Sequence, residues 1–427
     1  MAKQGAQTAV PRLRFPEFLG AEGWTPTPLG KSGTFVRGLT YGAGDVQDDG
    51  LLVVRSTNIQ DGRLVLDKDL VFVDRGCAPD QLLQAGDLAI CMSNGSKSLV
   101  GKSAEFSGNY DGAVTVGAFC SIFRPSLAFA KLAFKSDSYA EFVALAIGGG
   151  NINNLKNSDL ELFEFAIPVA AVEQQKIADC LISLDEVIAA QGRKVEALKV
   201  HKRGLMQQLF PREGETRPRL RFPEFSSNGG WKARRIADLL DRASNPADVD
   251  VNARYREIGV RSHGKGVFHK GEVSGKLIEN KRVFWVVPNA LVVNIVFAWE
   301  RAVATTSDDE VGMIASHRFP MYLAKAGKCK VEFLKRAFLT PQGKQQLELA
   351  SPGGAGRNRT LGQTEFEKIE LLVPNEVKEQ QRIADCLSSL DTKITTEFNQ
   401  LAALKTHKQG LMQQLFPSAE AVVACAT

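Results

Sequence analysis

A chain of 427 residues, 44% hydrophobic and 24% charged, has enough apolar material for two separate cores and is too apolar to be disordered as a whole. Its formal net charge of +5 permits a polyanionic partner and demands none. Seven cysteines (77, 91, 120, 180, 329, 386 and 425) form no Cys-x-x-Cys pair and five histidines form no His-x-x-x-His pair, which argues against a disulfide framework and against metal binding.

In chain order, residues 1–18 lack the continuous apolar stretch of a secretory signal, so the expected compartment is the cytoplasm. Within them Arg12 to Phe18 reads Arg-Leu-Arg-Phe-Pro-Glu-Phe, and Trp24 follows. Further on, Arg55-Ser56-Thr57-Asn58-Ile59-Gln60-Asp61-Gly62-Arg63 and Ser93-Asn94-Gly95-Ser96-Lys97 concentrate side chains that hydrogen-bond base edges and phosphates. Arg55, Ser56, Asn58, Gln60, Arg63, Asn94 and Lys97 are therefore DNA-contact candidates, although the same residue types dominate ordinary solvated turns and each loop alone stays open between the two readings. Gly95 to Ser103 comes within one residue of a phosphate-binding P-loop, but Ser96 stands where the first glycine is required, and a polar loop is the better account. The glycine-rich stretch Gly148 to Asn154, with Lys156 beyond it, is open between a phosphate approach and a flexible connection.

After Pro168, apolar residues from Glu173 to Phe210 fall at alternating steps of four and three: Ile177, Leu181, Leu184, Ile188, Val195, Leu198, Leu205 and Leu209, with Gln191 and Lys202 filling the gaps. That is a heptad seam on a helix on the order of 55 Å long, ended by Pro211. Gly192, Gly204 and Gly410 admit local bending or a close helix approach.

The pattern then restarts. Arg219 to Phe225 repeats the opening heptapeptide unchanged and Trp231 repeats Trp24, at an offset of 207; Gln380 to Leu387 repeats Gln174 to Leu181 and Gly410 to Pro417 repeats Gly204 to Pro211, at 206. The second seam runs Ile383, Leu387, Leu390, Ile394, Leu401, Leu404, Leu411 and Leu415, with Glu397 and Lys408 in its polar gaps. The stretches from about 35 to 145 and 240 to 350 show no evident identity, so each copy has a shared frame and a private middle. In the second middle, Arg256, Arg261, Ser262, His263, Lys265, His317 and Arg318, then Arg357 and Arg359 in a glycine-rich segment, are the DNA-contact candidates. Val283 to Trp299, the most membrane-like run, is broken by Pro288, Asn289 and Asn294, which predicts two buried strands around a turn. Asn245-Pro246-Ala247-Asp248 reads as a turn or helix cap.

The expected fold class is α+β: two globular domains joined by two long antiparallel coiled-coil helices, in a pseudo-twofold tandem duplication. The expected divisions are 1–170 and 212–375 for the globular domains, 171–211 for a central helix, 376–417 for a C-terminal helix and 418–427 for a tail. Alternatively, each helix packs only inside its own module. No hydrolase or zinc-protease motif is present, and no reaction is assigned.

The paired Arg-Leu-Arg-Phe-Pro-Glu-Phe starts, the helix openings from Pro168 to Ala178 and Pro374 to Ala384, and the twin Gly-Leu-Met-Gln-Gln-Leu-Phe-Pro ends resemble the specificity (S) subunits of type I restriction-modification enzymes, in order, spacing and duplication, from about residue 11 to 417. The resemblance implies two target recognition domains that each read half of a bipartite double-stranded DNA target, with the helical pair setting the unread spacer. It implies a bacterial or archaeal cytoplasm. It also implies partners: two modification subunits that bind S-adenosylmethionine and methylate adenine, and restriction subunits that use ATP and Mg to translocate and cleave. This chain would carry no cofactor and no catalytic residue. Two rivals remain open from residues alone: an adaptor that joins proteins through a helical rod, and a stand-alone nuclease or methyltransferase.

Overall fold

The computed structural model describes residues 8–60, 62–148, 153–353 and 359–417; Arg357 and most of both glycine-rich segments lie outside the described residues. The chain forms two compact units, Met1–Ala190 with Leu401–Thr427, and Gln191–Gln400. Both long helices are continuous, Ala171–Leu209 and Val377–Leu415, 39 residues each. Each contributes one half to each unit.

In the N-terminal unit, short apolar runs bounded by turn residues make strands. One sheet carries Gly33–Arg37, Cys120–Pro125, Leu88–Cys91 and Ser103–Glu105 as successive neighbours, and a second pairs Leu51–Val54 in parallel with Val114–Val116. In the other unit, Leu240–Ala243, Met321–Ala324, Leu291–Val293 and Val303–Thr305 follow one another in the same manner, and Arg254–Val260 pairs in parallel with Ile314–Ser316. The two private middles therefore share a topology that their sequences do not display. Strands ask only for apolar, β-branched or aromatic residues at inward positions, so identity can vanish while pairing persists.

Val283–Trp285 and Leu291–Val293 flank a turn in which Asn289 takes φ 57°, so the membrane-like run is two short strands. Among the described residues no helix is long and apolar enough to cross a membrane. The segment after Asn245 is neither a turn nor a cap: Pro246 bridges Phe284, and the Asn245 carbonyl accepts from the Trp285 N–H at 2.8 Å, because this stretch edges the sheet. Past Gly95, Ser103–Glu105 is a strand, whereas a P-loop opens a helix.

The repeated residues form one joint, built twice. The guanidinium of Arg14 donates to both carboxylate oxygens of Glu173, at 2.6 and 2.7 Å, and the indole N–H of Trp24 donates to Glu173 at 3.2 Å. Arg221, Glu379 and Trp231 repeat this at 2.8, 2.7 and 3.2 Å. Both glutamates sit in the first helical turn, where backbone N–H groups favour a carboxylate. The Gln174 amide donates to the Pro168 carbonyl and that of Gln380 to Pro374, tying each helix start to the preceding strand. Those strands, Glu164–Ile167 and Glu370–Val373, pair antiparallel with Thr25–Pro28 and Lys232–Arg235, so each private middle leaves and re-enters its frame at one two-stranded neck.

The helix ends cross over. Leu13 N–H donates to the carbonyl of Gln414, on the C-terminal helix, and Leu220 N–H to that of Gln208, on the central helix, both at 3.0 Å. Phe416 packs with Trp24, Phe129 and Phe165 in the N-terminal core, and Phe210 with Trp231 and Phe333 in the other. The repeated helix endings are thus preserved because each fills the core of the other copy, and the compact units differ from the sequence modules by one exchanged helix end. The alternative in which each helix packs only within its own module fails on these contacts.

The apolar stripe serves two purposes. Ile177 and Leu181 are buried in the N-terminal core, as Ile383 and Leu387 are in the other, whereas Leu184, Ile188, Leu198, Leu390, Ile394 and Leu404 are half-buried. Polar gaps in the stripe meet polar partners. Gln191 donates to the Glu397 carboxylate at 2.7 Å and to its backbone carbonyl at 3.0 Å, a residue bonded to its own repeat equivalent. Lys202 pairs with Asp391, and Lys408 with Asp185, the same interaction in each unit. Burial works to raise the Asp391 pKa, but Lys202 and Arg336 outweigh it and hold the carboxyl below its ordinary range. Burial lowers Lys408, with Asp185 opposing. Gly192, Gly204 and Gly410 mark no close approach, because a Cβ at any of them would meet nothing within 4 Å.

Candidate nucleic-acid interface

Three connections leave the same strand ends in both units. In the N-terminal unit they follow Leu51–Val54, follow Leu88–Cys91, and join Val114–Val116 to Cys120–Pro125. Together they line a cleft of about 600 Å³ formed by Tyr41, Arg55, Ser56, Thr57, Ser93 to Gly95 and Gly117 to Cys120. The two loops singled out in the sequence therefore meet, and the Asn94 amide donates to the Ser56 hydroxyl at 2.9 Å. Arg55 donates to the Asp69 carbonyl at 3.0 Å, which leaves its Nε buried without a partner. Burial pushes the thiol of Cys120, which lines the cleft, up to about 12, and raises that of Cys91, its partner on the neighbouring strand. Neither is a thiolate at neutral pH.

Asn58 must be withdrawn as a surface contact. It is 2% exposed, its carbonyl oxygen accepts from the Arg55 N–H at 3.0 Å, and its amide donates to the carbonyl of Val65 at 3.3 Å. It shapes the loop from within. Gln60, Arg63 and Lys97 are exposed but stand outside this cleft, Gln60 donating to the Thr57 carbonyl at 2.8 Å. Lys97 lines a separate depression with Lys102, Lys135 and one side of the Asp137–Gly148 helix along its length.

In the other unit the equivalent connections follow Arg254–Val260, follow Leu291–Val293, and join Ile314–Ser316 to Met321–Ala324. They line a cleft of about 430 Å³ that includes Arg261, Ser262, His263, Lys265, Phe268, Lys270, Asn294 and Phe319. Arg261 lies over the Phe268 ring at 5.0 Å, and Ser262 donates to Glu300 at 2.7 Å. His263 takes φ 60°, held by hydrogen bonds from its own N–H and that of Gly264 to the carbonyls of Glu300 and Arg301. Arg261, His263, Lys265, His317 and Arg318 are all exposed. Arg256 sits back along its strand beside Glu272, 3.5 Å away, and lines no part of the cleft. Arg359 lies over Trp299 at 5.9 Å.

Sequence reasoning missed Tyr41, Phe119 and Phe268, because aromatic residues at strand ends read as core, and it missed Lys270 and Asn294, which stand outside the polar clusters it singled out. Among the described residues no three His, Cys, Asp or Glu side chains gather as a metal site.

A family model for the type I restriction modification DNA specificity domain matches residues 263–406, which takes in most of the second cleft and the helix that follows. Over 416 residues, 93% of this chain and 88% of the relative, the chain is 25% identical to the type I restriction enzyme StySPI specificity subunit of Salmonella potsdam. It is 36% identical over 176 residues to the EcoKI specificity subunit of Escherichia coli strain K12, 38% of this chain and 36% of that one. The chain is thus similar to the type I restriction-modification specificity subunits. The solved type I S subunit from M. genitalium shares the fold, with a TM-score of 0.59 at 14% identity over 96% of this chain and 99% of that one.

Proposed function

We propose that each unit of this chain reads one half of an asymmetric, bipartite double-stranded DNA target, that the helical pair sets the unread spacer, and that the chain directs methylation or cleavage by partner subunits without catalysing either. The observation that carries this reading is the pair of topologically equivalent clefts whose lining residues differ: Ser56, Asn94 and Arg55 in one, Arg261, His263 and Lys265 in the other. Equivalent strand ends present donors and acceptors of the kind that bind base edges and phosphates, and unlike linings select unlike half-sites. The partners would be two modification subunits, which hold S-adenosylmethionine and methylate adenine, and restriction subunits, which use ATP and Mg; such a complex works in the cytoplasm.

Selection from a random duplex library by the chain assembled with its modification subunits tests this. The expected product is one motif with two unlike halves at a fixed separation. No enriched motif counts against the reading and favours a protein adaptor.

A further inference from the structure

We propose that Phe119 is a specificity-determining residue whose ring receives the 5-methyl group of a thymine in the half-site read by the N-terminal unit; this rests on the DNA-reading function proposed above. The ring is 71% exposed, unusual for a phenylalanine in a unit with a well-filled core. Its backbone is nonetheless fixed. The Phe119 carbonyl accepts from the N–H groups of Met92 and Ser93 at 2.8 and 3.2 Å, and the Cys120 N–H closes the turn onto Gly117 at 2.8 Å. The turn is pressed against the cleft floor: a Cβ on Gly117 would come within 3.3 Å of Val53 and 3.6 Å of Tyr41.

An aromatic held on a rigid turn has only two side-chain torsions to immobilise on binding. Beside it stand Ser56 and Asn94, hydrogen-bonded to each other and lining the same cleft, so the ring is the apolar element within a polar reading surface. In the major groove the one apolar mark on a base edge is the thymine methyl, and phenylalanine is among the side chains that contact it. The equivalent turn of the other unit presents exposed His317 and Arg318, and its Phe319 packs partly into the core. The same position thus offers an apolar face in one reader and cationic or hydrogen-bonding groups in the other.

The test compares wild-type, Phe119→Ala and Phe119→Leu chains, each assembled with the modification subunits, on the selected duplex with thymines of the first half-site replaced singly by deoxyuridine. At one position, loss of the methyl should weaken wild-type binding roughly fourfold, the worth of one buried methyl group. Phe119→Leu should keep the sensitivity and Phe119→Ala should lose it, with unchanged thermal unfolding. The proposal is overturned if no position behaves so, if Phe119→Ala retains the wild-type sensitivity, or if 2-aminopurine beside the site brightens in a Phe119-dependent way, which would mark a ring wedged between base steps. A wild-type complex that selects no bipartite motif defeats the DNA-reading function itself; a selected motif insensitive to deoxyuridine defeats only the role of Phe119.

Discussion

Replacing Glu173 by alanine is expected to lower the stability of the N-terminal unit by about 3–5 kcal/mol, the usual consequence of removing one member of a buried ion pair. The Glu173 side chain is 1% exposed and that of Arg14 6%, so the substitution strands a guanidinium that water reaches poorly and frees the buried Trp24 N–H. It also removes a carboxylate from the first turn of a long helix. Glu379→Ala repeats the experiment in the other unit, where Arg221 and Trp231 are stranded instead. Urea unfolding of the two variants should show comparable losses. Removing both charges together, as in Arg14→Met with Glu173→Met, should cost much less, because no charge is then left unpaired. A loss below about 1 kcal/mol for either single variant would mean that the joint is solvated.

Phe416→Ala should destabilise by about 3–5 kcal/mol, as phenylalanine truncations in packed cores do. The informative part is where the damage falls. Phe416 lies near the C-terminal end of the described chain but contacts Trp24, Phe129 and Phe165, with ring centroids 6.4, 6.2 and 5.3 Å away. Amide exchange should therefore accelerate in strands such as Cys120–Pro125 and Glu164–Ile167 before it does in Leu291–Val293. Phe210→Ala should give the opposite map, since its ring stacks on Phe333 at 5.4 Å and meets Trp231 at 5.7 Å. If each substitution loosened only the module in which it lies in sequence, the exchanged helix ends would be wrong.

The duplication, the two helices and the loops that form the clefts were legible in the sequence because each rests on a local signal: an exact repeat, a heptad period, a cluster of turn-forming polar residues. Which core each helix end fills was not legible. A heptad seam reports that a partner exists and not which partner, and Phe210 and Phe416 are identical in context. Asn58 was misplaced for a related reason, since the same amide that could read a base can equally cap a loop from inside, and only burial separates the two. Phe119 was missed because a phenylalanine between two apolar strands reads as core until its exposure is known. The shared topology of the private middles was hidden because strand pairing constrains the character of a side chain far more than its identity.

The necks at Thr25–Pro28 with Glu164–Ile167 and at Lys232–Arg235 with Glu370–Val373 make the central claim open to a direct test, because they mark where each private middle leaves and re-enters its frame, and an exchange that keeps Phe129 keeps its packing on Trp24 and Phe416. Residues 30–160, with Phe129 kept, should be replaced by the corresponding segment of a type I specificity subunit, and the methylated motif mapped across the genome of cells carrying the hybrid with its modification subunits. Two independent readers on one frame predict that one half of the motif changes while the other half and the separation stay as they were. A hybrid in which both halves change, or in which the separation changes, would contradict the account.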